Sequence, residues 1–127
     1  MKKIYRNKRC PLDQLSESIW QWFQREDYEV QYFRDNLAHI LQARKESWLR
    51  QFLGARRVFT VIIQGEPDNF EVDVGLGRWA YNVASTGIIG LVAGGGVLFF
   101  SSAVLAAWSR VILDRLWVFI DAEIMRL

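Results

Sequence analysis

From Trp79 to Ser109 the chain runs for 31 residues without an Asp, Glu, Lys or Arg. A charge-free apolar stretch of ~18 residues or more is a transmembrane candidate. As one helix, Trp79 to Trp108 would extend roughly 44 Å at ~1.5 Å per residue. That approaches the ~40–45 Å of a bilayer with its headgroups. Trp79 and Tyr81 stand at one end and Trp108 at the other, with Arg78 and Arg110 just outside. Such rings and cations favour the membrane interface. A tilted transmembrane helix is therefore expected. Gly94, Gly95 and Gly96 interrupt it, which keeps a re-entrant hairpin open. Gly90 and Gly94 form a GxxxG. Ala80, Ala84 and Gly87 add further small positions where another helix could pack closely.

This run distorts the averages. The 127 residues are 51% hydrophobic with a mean hydropathy of +0.02, as in an ordinary soluble globule. Yet residues 1–78 hold 13 of the 16 Lys and Arg and 11 of the 14 Asp and Glu. Three segments are expected: a small α+β domain over 1–78, an apolar membrane segment over 79–109, and an amphipathic helical tail over 110–127. The net charge of +2 is too small to imply a nucleic-acid partner. Lys2, Lys3, Arg6, Lys8 and Arg9 read as a solvated basic tail, with contact to anionic lipid or RNA as the alternative. Cys10, the single cysteine, excludes an intrachain disulfide and a cysteine-based zinc site. No apolar core of a signal peptide follows Lys2 and Lys3, so the first domain is expected to be cytoplasmic, beside a bacterial inner or internal membrane. Arg110, Arg115 and Arg126 favour a cytoplasmic C-terminal side as well, which again keeps the re-entrant alternative open.

Within 1–78 the pattern predicts a helix and four strands. Leu12, Leu15, Ile19, Trp22 and Phe23 share one helical face between Pro11 and Tyr28, with Asp13 as N-cap. The strands are Val30 to Phe33, Leu37 to Ala43, Arg56 to Gln64 and Phe70 to Val74. A five-residue turn, Gly65 to Asn69, joins the last two into an antiparallel hairpin. Glu71 and Asp73 are expected to pair with Arg56 or Arg57 across it. Trp48, Leu49, Phe52 and Leu53, within a basic collar, read as a crossover closing the sheet or as a membrane-surface knob. The tail places Arg110 and Asp114 at i,i+4. It either continues the span, lies along the interface or folds back over the sheet.

No catalytic, cofactor or metal site is expected. Gly75, Gly77 and Ala80 form a GxGxxA, but no acid stands about 20 positions on, and the preceding strand alternates polar and apolar. A tight strand-to-helix turn accounts for those glycines. His39 is the only histidine, and the nearby acids Asp35 and Glu46 are not at ligand spacing, so a structural or surface role is expected. No serine sits in a nucleophile elbow.

Gln42 to Lys45, Trp48 to Gly54 with Arg57, and Val74 to Trp79 resemble a small bacterial family without an assigned activity. That family places an α+β unit ahead of an apolar membrane segment, in some members behind a zinc ribbon. The resemblance covers roughly residues 12 to 120 and implies the same architecture here. Cys10 alone departs from the zinc-bearing members. The expected fold class is thus α+β: an N-terminal helix, a four-stranded mostly antiparallel sheet, a transmembrane or re-entrant helix, and an amphipathic helix. The expected function is a non-enzymatic, membrane-anchored subunit that binds protein partners through its first domain and its span. A homo-oligomeric membrane assembly or pore, and a soluble lipid-binding domain with a buried helical hairpin, are the alternatives.

Overall fold

The computed structural model describes residues 2–34, 38–45, 57–78 and 107–127. In chain order these form β1 (Lys2–Arg6), α1 (Leu12–Arg25), β2 (Glu29–Arg34), β3 (Ala38–Arg44), β4 (Arg57–Glu66), β5 (Asn69–Arg78) and α2 (Ala107–Arg126). The strands make one sheet in the order β1-β5-β4-β3-β2, and every pairing is antiparallel.

The β4–β5 hairpin is the centre of the sheet. Val58, Val61, Ile62 and Ile63 give β4 the branched side chains that fit a pleated, two-sided surface. Pro67 and Asp68 form its turn, tighter than the five residues expected. Gly65 takes φ +120°, and a Cβ there would come within 2.5 Å of the Asn69 carbonyl oxygen. The β1–α1 loop is fastened to this tip. The Asn7 and Cys10 amides donate to the carbonyls of Asp68 and Pro67 at 2.7 and 2.9 Å.

Alternation assigns the two sheet faces. Leu41, Ala43, Phe59, Val61, Ile63, Phe70, Val72 and Val74 share a core with Leu15, Ile19 and Phe23 of α1 and with Leu116, Trp117, Ile120 and Ile124 of α2. The other face carries Ala38, Ile40, Val58 and Ile62, also buried. Gln31, Gln42 and Thr60 are bonded across three strands there, at 2.7 and 3.2 Å. Among the described residues both helices lie on the first face.

α2 closes the domain by returning to the first strand. Lys3 Nζ and the Tyr5 hydroxyl donate to the two Asp121 oxygens at 2.9 and 2.5 Å. Lys3 also lies 4.8 Å from the Trp117 ring. Against α1, Phe119 stacks on Trp22 at 6.0 Å, and Arg115 reaches Glu26 at 3.2 Å.

Several expectations need correction. The sheet has five strands, not four. Lys2 to Arg6, read as a solvated tail, forms edge strand β1, with Tyr5 stacked on Phe70. Residues 75–78 continue β5 and do not turn into a helix. Glu71 pairs with Lys2 at 3.7 Å and the register sets Arg57 against Arg78, while Arg56, the other expected partner, lies outside the described residues. Pro11, not Asp13, caps α1, and it makes no side-chain cap bond.

The transmembrane helix is also corrected. Among the described residues no helix is long and apolar enough to cross a membrane. Residues 107–109, assigned to the span, open α2, which carries Asp114, Arg115, Asp121, Glu123 and Arg126 and packs on the domain. Of the options for the tail, folding back over the sheet is the one observed.

Candidate binding cleft

α1 has a second stripe beside its core stripe. Asp13, Ser16, Glu17, Trp20, Gln21 and Gln24 recur at intervals of three, one, three, one and three, so they share a face. With Tyr32 and Arg34, alternate residues on one face of β2, they line an open cleft of about 410 Å³. The cleft lies where α1 overhangs β2, the last strand of the sheet.

Its walls are aromatic and its polar groups are largely organised. The Trp20 and Tyr32 rings are 6.1 Å apart and inclined by 53°. Behind Tyr32 its hydroxyl meets His39 Nδ1 at 2.5 Å, and the two rings stack at 6.0 Å. Asp13 Oδ1 lies 3.0 Å from Arg34 Nη1 and 3.7 Å from His39 Nε2. Burial raises the Tyr32 hydroxyl above its ordinary range, against the opposing pull of Ser16 and Arg34. Tyr32 is thus a neutral phenol at physiological pH, not a phenolate. The Ser16 hydroxyl is buried and donates to the Leu12 carbonyl at 2.9 Å, which leaves it poorly placed as a nucleophile. Glu17 is exposed, and among the described residues it forms no ion pair.

The arrangement suits the binding of a cation. A carboxylate beside two aromatic faces attracts a cation, through charge and through the ring quadrupoles. Gln21 and Gln24 offer amides to a polar chain. The strand edge offers more. β1, the other edge, is guarded by Lys2, Lys3 and Arg6, whereas the charges of β2 stand only at its ends, Glu29 and Arg34. An edge without charge along its middle invites another strand.

The sequence-predicted residues fall elsewhere. Trp79, Ala80, Tyr81, Ala84, Gly87, Gly90 and Gly94 lie outside the described residues, as do Trp48 to Leu53. Arg78 ends β5, and Trp108 and Arg110 fall in the first turn of α2. His39 is buried and bonded. The cleft was not anticipated. Its one sequence signal is the polar stripe of α1 with Trp20 in its middle, a residue that reads as a mere widening of the core face. The chain matches no protein-family model, no curated protein and no solved structure.

Proposed function

We propose that this domain is a non-enzymatic protein-binding module, and that its cleft receives an extended, basic segment of a partner. The observation that carries the reading is the cleft itself, where Glu17 and the Trp20–Tyr32 wall overhang the weakly guarded edge β2. A strand added to that edge would lie ~4.8 Å from β2. Its helix-facing side chains would then meet α1. Main-chain bonds to β2 supply affinity, and the acidic aromatic cleft selects a Lys or Arg at an alternate position. The paired state of Asp13, Arg34 and His39 supports a preformed wall, which lowers the ordering cost of binding.

The test is fluorescence anisotropy with a labelled, N-acetylated pentapeptide alternating valine and lysine, against its glutamate counterpart. Preference for the lysine peptide, weakened by Glu17→Gln and by Trp20→Ala, is the expected result. Equal binding of both peptides, or binding that neither variant changes, would refute the reading.

A further inference from the structure

Among the described residues four large hydrophobic side chains are exposed, and three stand on α2. Val111, Val118 and Met125 are 59%, 71% and 83% exposed. They are seven residues apart, a spacing that keeps side chains on one side of a helix. Ala122, also exposed, widens the strip. Scattered exposed apolar groups are ordinary, whereas these three are aligned on one face of one helix. The opposite side of α2 is already spent, since Leu116, Trp117, Ile120 and Ile124 are in the core.

Charge decides what fits the strip. Asp114, Val118, Ala122 and Arg126 form a row at intervals of four, all exposed, with an acid at one end and a base at the other. If a second copy of the row lies end to end against the first, Asp114 meets Arg126 twice and Val118 meets Ala122 twice. A parallel pairing would instead set like charges together. The antiparallel pairing also opposes the two helix dipoles. Arg115, whose guanidinium is held by Glu26 at 3.2 Å, then falls opposite Met125 at the edge of the contact. Asp114 makes no ion pair among the described side chains. Arg126 is paired with Glu123 on its own helix, at 2.7 Å, and would be shared with Asp114 of the second copy.

We propose that α2 is a homodimer interface, pairing antiparallel with α2 of a second copy. Val118, Ala122 and Met125 form its centre, Val111 its rim, and Asp114 with Arg126 sets its register. The cleft between α1 and β2 is left open by this contact. One 20-residue helix face falls short of the ~800 Å² per partner of stable complexes, so the dimer is weak and concentration-dependent.

Sedimentation velocity of the full chain over roughly 1 to 100 µM, the range where a micromolar dissociation constant shows, tests this. The expected result is a shift from monomer to dimer across that range. Val118→Glu should raise the dissociation constant at least tenfold while circular dichroism shows an unchanged fold. Asp114→Arg and Arg126→Asp should each weaken the dimer, and together should restore it. A monomer at every concentration, a dimer that Val118→Glu leaves intact, or a double charge variant no tighter than the single ones would overturn the proposal.

Discussion

Asp121→Ala removes the acceptor that ties α2 to β1, and its cost can be worked from the contacts. The Tyr5 hydroxyl donates to one carboxylate oxygen at 2.5 Å and Lys3 to the other at 2.9 Å. A hydrogen bond to a charged group contributes about 1.5–3 kcal/mol. The Lys3 side chain is 39% exposed and that of Asp121 42%, so their charge pairing adds at most about 1 kcal/mol after screening. The variant should therefore lose about 2–3 kcal/mol, a drop of roughly 8 °C in Tm for a domain of this size. Urea denaturation followed by tryptophan fluorescence measures it, since Lys3 lies over Trp117. Tyr5→Phe should cost about half as much. The double variant should cost less than the two single losses added, because both delete one bond. A loss under about 0.5 kcal/mol for Asp121→Ala, or strict additivity, would refute the clamp.

The same clamp sets a pH window. Burial pushes the Asp121 carboxyl up, but the bonds from Tyr5 and Lys3 and the Lys3 charge outweigh it and hold it below 3.8. Its stabilisation is thus present above that value and fades as pH falls through the lower folded one. Tyr5 is raised, first by burial and then by Asp121, so its contribution is full below 10.0 and fades as pH rises through the higher folded value. Urea midpoints measured across pH should fall at both ends, and less so in Tyr5→Phe at the alkaline end. Phe23→Ala should cost about 3–5 kcal/mol by the same assay, because its fully buried ring packs against Tyr28 and Phe59. Gly65→Ala should cost about 1–3 kcal/mol, through its φ of +120° and the Asn69 carbonyl in the way.

What the sequence makes legible follows from how local each signal is. The core stripe of α1 is a pattern within one element, and Leu12, Leu15, Ile19, Trp22 and Phe23 are all buried as expected. The β4–β5 hairpin is legible for the same reason. β1 is not, because an edge strand carries charged side chains that read as a solvated tail. Gly75 and Gly77 mark a turn by composition, yet β5 runs through them because β4 pairs with it along that length. The docking of α2 depends on Asp121 meeting Lys3 and Tyr5, a contact spanning nearly the whole chain, and no local pattern shows it. The charge-free run lies directly before the tail, so composition alone groups the tail with a membrane segment. The cleft was hidden for a related reason. Asp13, Tyr32 and His39 come from three elements, and no spacing along the chain brings them together.

The proposed use of that cleft is tested most directly by amide chemical-shift mapping of the chain on titration with the valine–lysine pentapeptide. The account predicts shifts along the main-chain amides of β2, Glu29–Arg34, and at the side-chain amides of Gln21 and Gln24. Shifts confined to other elements, or none at saturating peptide, would contradict it.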